Sequence, residues 1–580
     1  MKKQSILLLN SMVLVGLVGC NNEPAPTSES ISSASVSSQS SASSEWSIPE
    51  KYKDYKRLED FSQGVVTYTD SKGKEQSLTR HNLEANASQP SLLTLGEQRI
   101  LVVPIGLDAD EGTSPGYSTV SCSGRPEKQT PERLQQIENL FFGPAESTGW
   151  QSLKSFYDTS SFGQVTITGN VMTMDGGWFK PGEYFGKNAR PRDYSSQTAL
   201  NDIKAYYTTE YAKEGHGLLP DDAPSWDWYD QDKDGYIDTI WMVYSAAIHA
   251  YETTTDGNSY WAYVSRTGNS PSVSSPNPMC HAWASIDFMD QAYGEGLDAH
   301  TFIHETGHIF GLDDYYNYDH NSAPMAGVDM MDNNVGDHCA FSKFQLGWIK
   351  PYIVDDTALI TLKPTTTNKD NAVILPSPNY NGTAFDEYMM VEFMSPVGLA
   401  EKDYLAKYPA GIQGFSKPGL RVTHVDARAR KTTLKDILST PEEVAEAQAI
   451  RVMNTPSGRG YASYRDGWQN YDYSSSIHAF SMITLMQASG YDADKNCLTG
   501  SYVAKNSDLY IKNFSFDLEP YEVDGELTNE AWCLMPSGSN LWNKAQSPIT
   551  RDIDDTCKVG YTFTVLNVTK DECTFVVNKI

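Results

Sequence analysis

The chain has 580 residues, 39% hydrophobic and 11% aromatic, which is too long for one core and apolar enough to fill two or three. Its formal net charge of −29 excludes a nucleic-acid binder, because an acidic surface repels phosphate and lacks the basic stripe such proteins need. The acidic excess is that of a solvated exterior.

The first residues, MKKQSILLLNSMVLVGLVGC, place two lysines before an apolar run from Ile6 to Val18. That run is too short to span a bilayer but suits the apolar stretch of an export signal. The ending Leu17-Val18-Gly19-Cys20 resembles a bacterial lipobox, in which the signal is cut before the cysteine and the cysteine is lipidated. Residues 1–19 are therefore expected to be a lipoprotein signal peptide. Residues 20–45 follow as the lipidated Cys20 and a serine-rich tether that cannot form a core. Together they place the protein outside the cell, held by lipid on the outer face of a membrane. Of eight cysteines, seven remain beside Cys20: Cys122, Cys280, Cys339, Cys497, Cys533, Cys557 and Cys573. An odd number cannot all pair within one chain, and none has CxxC spacing.

Residues 46–95 are polar and weakly patterned, as a pro-like or wrapping segment would be. RILVVPIGL from Arg99 has the length of a strand, and QVTITGNV from Gln164 alternates as a half-buried strand does. Between them WQSLKSFYDTSSFG carries Leu153, Phe156 and Tyr157 at helical spacing and ends at Gly163. In YDQDKDGYIDTIW, Asp230, Asp232, Asp234 and Asp238 fall at positions 1, 3, 5 and 9 of a loop bent at Gly235, as in oxygen-ligand calcium loops. Tyr236 at position 7 completes the expected calcium set, while Trp241 stands where an EF-hand has glutamate. An acidic surface turn is the plain alternative, but aspartates this close repel unless a cation or water screens them.

HTFIHETGHIFGLDDYY, from His300 to Tyr316, holds the central motif. Residues four apart share a helix face, so His304 and His308 can present imidazoles to one metal ion. Glu305, about 100° round the helix, sits where a carboxylate can take a proton from water at the open coordination position. His300 extends the stripe but cannot easily join the same centre, which gives it a supporting role. HExxH alone is only suggestive, and the third ligand decides. No glutamate occurs between Glu305 and Glu387, whereas Gly311 and Asp314 complete HExxHxxGxxD. Glycine permits the turn that swings Asp314 back to the metal, and a carboxylate oxygen is an acceptable zinc ligand. Asp313 is the neighbouring rival. Sites of this metzincin type carry a methionine turn, which GVDMMDNN supplies through Met331, 17 residues after Asp314, with Met330 the alternative. Beyond Lys350, runs such as ALITLKP, EYMMVEF, GLRVTHV and GYTFTVLNV, set apart by Gly, Pro and Asn, predict a β-rich region over 351–580.

At this point the chain resembles the immune-inhibitor-A-like zinc metallopeptidases, a secreted bacterial group. The stretches that carry the resemblance are SLKSFYDTSSFG, YDQDKDGYIDTIWMVYSA, HETGHIFGLDDYY, DMMDNNVGDHCAFSKFQLGWIKP, DEYMMVEFMSPVGL and GLRVTHVDAR, in the family's order from about 95 to 430. The resemblance implies an α+β metzincin-like zinc peptidase catalytic domain, here residues 96–350, followed by a C-terminal all-β, β-sandwich-like region. It implies a protein or peptide as substrate. The family's GLPD becomes Gly311-Leu312-Asp313-Asp314, which carries the third ligand to Asp314 and loses only the proline. Family members are usually freely secreted behind a pro-segment, so a lipid anchor is a departure. The rival reading is a surface-binding or adhesin-type lipoprotein on an inactive protease scaffold, against which stands the retention of Glu305, since a pure binder needs no general base.

Overall fold

The computed structural model describes residues 46–58, 92–107, 124–180, 196–211, 224–248, 260–292, 296–316, 323–376, 387–407, 411–427, 482–488, 502–517 and 560–580, with a few short pieces between them. Residues 1–45, including Cys20 and the tether, lie outside the described residues, as do Cys122, Cys497, Cys533 and Cys557. Cys339 and Cys573 are buried and form no disulfide. Among the described residues no helix is long and apolar enough to cross a membrane.

The described elements mix helices with three five-stranded sheets. After a short strand β1 (Lys56–Leu58) come β2 (Gly96–Ile105), α1 (Pro131–Phe142), α2 (Leu153–Ser160), β3 (Val165–Val171), α3 (Ser196–Tyr206), β4 (Ile240–Tyr244), β5 (Tyr263–Arg266) and β6 (Cys280–Ser285). The first sheet has the order β3-β2-β4-β6-β5, parallel except for β5, which runs antiparallel to β6 at one edge. Alternation along its strands feeds two cores. Ile100, Val102, Trp241 and Val243 face one core with α1 and α2, whereas Leu101, Val103, Ile240 and Met242 face another with α3.

The helices start where the sequence caps them. Thr130 accepts the Arg133 N–H ahead of Pro131, and Ser152 forms a reciprocal capping box with Ser155. On the face of α1 and α2 lies α4 (His300–Ile309), followed by the short helices α5 (Met330–Asn333) and α6 (Ala340–Gln345). Helix α4 buries Phe302, Ile303 and Ile309 in the same core. It is pinned by the Trp241 indole N–H on Thr306 Oγ1 at 3.1 Å and by the Tyr157 hydroxyl on the Ile303 carbonyl at 2.7 Å.

Beyond the helices lie β7 (Tyr352–Ile353), β8 (Ala358–Leu362), β9 (Ala372–Pro376), β10 (Glu387–Met394), α7 (Glu401–Leu405), β11 (Gly419–Asp426), β12 (Ile483–Leu485), β13 (Ser515–Asp517), β14 (Tyr561–Val568) and β15 (Cys573–Lys579). The second sheet has the order β7-β9-β10-β11-β12 and the third β1-β8-β15-β14-β13. In β10, Met389, Val391 and Phe393 pack toward the third sheet, with Phe563, Phe575 and Val577. Tyr388 and Met390 point the other way, into the core that holds α4. The second sheet is thus covered on both faces, which is why apolar side chains occupy both faces of its strands instead of alternating with exposed polar ones. Strand β1, from the segment expected to wrap, joins the third sheet beside β8 in parallel register, Lys56 opposite Ala358.

Candidate metal centre

Helix α4 presents His304 and His308 one turn apart, and its C-terminus is shaped to bring the chain back to them. Gly311, at φ 96°, takes the left-handed position. The Leu312 N–H then reaches the Gly307 carbonyl at 2.9 Å and the Gly311 N–H the His308 carbonyl at 3.0 Å, the double bond of a Schellman motif. Any side chain at residue 311 is strained in that conformation.

The turn has two consequences for the imidazoles. It aims the Leu312 carbonyl at His308, whose Nδ1–H donates to it at 2.9 Å, and it returns Asp314 so that Oδ1 lies 3.0 Å from His304 Nε2 and 3.1 Å from His308 Nε2. His304 Nδ1–H donates to the Met330 carbonyl at 2.8 Å. Each ring therefore spends Nδ1 on a backbone carbonyl and turns Nε2 toward the same carboxylate oxygen. One ligand atom from each of His304, His308 and Asp314 lies within 4.8 Å of the others. Asp313, the rival at the sequence level, is buried but outside this cluster.

The donor set suits zinc: two imidazole nitrogens and one carboxylate oxygen are three protein ligands that leave a fourth position open, and their Nδ1–carbonyl bonds are the supports that orient such ligands. Burial alone would raise the Asp314 carboxyl, yet the His308 charge and the bonds from both histidines hold it well below the usual carboxylate range. Burial likewise opposes a charge on His308, but Asp314 and Glu305 push it up to about 9. A cation taking these atoms displaces a proton, so its affinity rises with pH. Burial raises the Glu305 carboxyl above its ordinary value, partly offset by His308 and His304, which makes it a stronger base than an exposed glutamate.

Both methionines serve, through different atoms. Met330 supplies the carbonyl that holds His304, while Met331 packs its side chain under α4, where a Cβ at Gly307 would lie 2.5 Å from Met331 Sδ. His300 is apart from the cluster. It stacks on Trp150 at 4.0 Å, with Nδ1 2.7 Å from Asp298 Oδ1 and Nε2 3.2 Å from Asp403 Oδ2. Burial disfavours its charge, but the two carboxylates raise it to about 9, so His300 ties the start of α4 to α7 as a cation. The carbonyls of Met330 and Leu312 and the partner Asp403 are absent from any motif, because main-chain atoms carry no residue signature and Asp403 is 103 residues from His300.

The aspartate loop folds on itself before β4. Gly235, at φ 90°, donates to Asp230 Oδ2 at 3.2 Å, and a Cβ there would meet the Ser272 nitrogen at 2.7 Å. Carboxylate oxygens of Asp230, Asp232 and Asp238 lie within 4.8 Å of one another. Asp234 stands outside that group and accepts the Tyr236 N–H at 2.8 Å, while the Tyr236 hydroxyl donates to the Asn269 carbonyl at 3.0 Å. Asp230 Oδ1 is buried without a hydrogen bond, and burial, reinforced by Asp232, pushes Asp238 up to about 8. A divalent cation would satisfy both groups, by neutralising the carboxylates and giving the orphaned oxygen a partner. Since Asp238 is followed after one residue by β4, whose Trp241 holds Thr306 of α4, the loop is mechanically upstream of the histidines. Asp232→Ala, at an exposed residue, is expected to leave the calcium-free melting temperature nearly unchanged and to abolish its rise with calcium. That rise should be ~2.7 kcal/mol at a hundredfold excess over Kd, about 5–10 °C. Wild-type melting that ignores calcium would contradict the assignment.

A comparison with protein-family models gives no match, and a comparison with curated proteins gives no relative.

Proposed function

We propose that this chain is a zinc-dependent endopeptidase that hydrolyses peptide bonds of proteins, with residues 96–350 as a metzincin-like catalytic domain. In this reading it is exported and held by a lipid on Cys20 at the outer face of a bacterial membrane, and calcium at the aspartate loop stiffens it. The observation that carries the reading is the convergence of His304 Nε2 and His308 Nε2 on one oxygen of Asp314, beside a buried glutamate. An adhesin requires no such arrangement, whereas metal-assisted hydrolysis requires all of it.

His304, His308 and Asp314 would hold a zinc ion, which would supply Lewis-acid chemistry toward water and a substrate carbonyl. The protein does the rest. Met330 and Leu312 keep each imidazole in the tautomer that offers Nε2. Glu305 takes the proton of the attacking water on a carboxylate oxygen and delivers it to the leaving amine. Burial of His304, Glu305 and Asp314 limits solvent competition for that proton.

Casein zymography tests the reading. A cleared band that a strong chelator removes and added zinc restores is expected, while clearing that persists in chelator would sink it. The anchor is tested separately by Cys20→Ala, which should abolish labelling by a fatty-acid probe and move the protein from the membrane fraction to the medium. Unchanged labelling and fractionation would overturn the anchor and leave the peptidase untouched.

A further inference from the structure

The second sheet buries an ion pair. Glu392 of β10 and Arg421 of β11 stand directly opposite each other, both 2% exposed, with guanidinium nitrogens 2.8 Å from Glu392 Oε1. Such a pair is costly to desolvate, and apolar residues of similar size would serve the packing at least as well. What apolar residues could not do is hold the polar groups around it. Arg421 donates to the Val328 carbonyl at 2.7 Å, and its other terminal nitrogen lies 3.8 Å from Asp329 Oδ2. Asp329 in turn caps α5, accepting the Met331 N–H at 2.9 Å, and accepts the Cys339 N–H at 3.1 Å. Glu392 Oε2 accepts the Ala340 N–H at 3.0 Å, at the start of α6. The two side chains thus grip the segment 328–340 at both ends, and between those ends lies the Met330 carbonyl that receives His304 Nδ1–H.

We infer that Arg421 is a positioning residue for His304: it fixes the Val328–Asp329 backbone, hence the Met330 carbonyl and the imidazole bound to it, and makes the C-terminal sheet a working part of the metal centre. This rests on the zinc reading of His304, His308 and Asp314. A shift of the carbonyl by a fraction of its bond length turns the ring about its own axis and takes Nε2 off the point it shares with His308. The guanidinium is suited to the task because its planar fork serves Glu392, Val328 and Asp329 at once, whereas an ammonium is a single point charge.

The test is zinc affinity, measured by competition with a chromophoric chelator on the full chain after metal removal. Arg421→Lys keeps the charge inside and is the deciding variant. It is expected to fold and to bind zinc roughly 10- to 100-fold more weakly, the range for lost ligand-orienting partners. Arg421→Met should weaken it further. Asp329→Asn, which keeps the Oδ1 acceptor for Met331, should reproduce the loss from the other end. Val577→Ala, in the core on the far side of the second sheet, serves as the stability control. It should lower the melting temperature and leave zinc affinity alone. A folded Arg421→Lys protein within about twofold of wild-type affinity would overturn the inference, because support of this kind typically costs roughly 10- to 100-fold. If wild type itself takes up no zinc, and His308→Ala changes nothing, the metal reading fails and this inference with it. If wild type binds and Arg421→Lys binds equally, only the positioning role is lost.

Discussion

Glu305→Gln is expected to keep zinc and lose most peptidase activity, by roughly 100- to 10,000-fold in kcat/KM, the contribution typical of general acid–base catalysis. Glutamine has the size of glutamate and leaves the Nδ1 bonds of His304 and His308 to Met330 and Leu312 intact, so the ligand atoms stay where they are. What it removes is the proton acceptor. It also removes a buried carboxylate whose ionisation is disfavoured by desolvation, so the folded protein should be no less stable. Activity on a quenched-fluorescence peptide, measured beside zinc content, checks both halves. Cleavage at the wild-type rate would mean that Glu305 is not the base.

The second large effect is at Asp314. Its Oδ1 is the point on which both Nε2 atoms converge, so Asp314→Ala should lose zinc, by more than the roughly 10- to 100-fold that follows loss of a mere supporting hydrogen bond. Two imidazoles alone are a weak site. Asp313→Ala, next to it and also buried, is the internal control and should retain the metal. If the two variants exchange behaviour, the glycine turn delivers the other carboxylate and the assignment of the third ligand is wrong.

Short-range patterns made the histidine helix, its glycine turn and Asp314 legible in the sequence. Four-residue spacing, a residue that tolerates positive φ and a carboxylate three positions on are all local. The strands at Arg99 and Gln164 were legible for the same reason, and the structure extends the first to Gly96–Ile105. The supports were not. The Met330 and Leu312 carbonyls belong to the main chain, and the partners come from more than ninety residues away, Asp403 on helix α7 and Arg421 on the paired strand β11. In the run EYMMVEFM nothing local marks Glu392 as a buried group rather than an exposed one, because its partner Arg421 is brought opposite only by the pairing of β10 with β11. Likewise KRL at Lys56 gives no sign that it closes the edge of a sheet whose nearest strand lies about three hundred positions later, since a three-residue strand takes its identity from its neighbour. Trp241 marks the departure from an EF-hand in the sequence and proves to be the side chain that ties β4 to Thr306.

Zinc at His304, His308 and Asp314 is the central claim, and diffraction from zinc-supplemented crystals at energies either side of the zinc absorption edge tests it directly. The expected result is one anomalous peak bounded by His304 Nε2 and His308 Nε2 at ~2.0–2.1 Å and an Asp314 oxygen at ~2.0–2.2 Å, with Glu305 beside the open position. A map with no zinc peak among these three residues, or with zinc bound elsewhere while they keep their mutual hydrogen bonds, would contradict it.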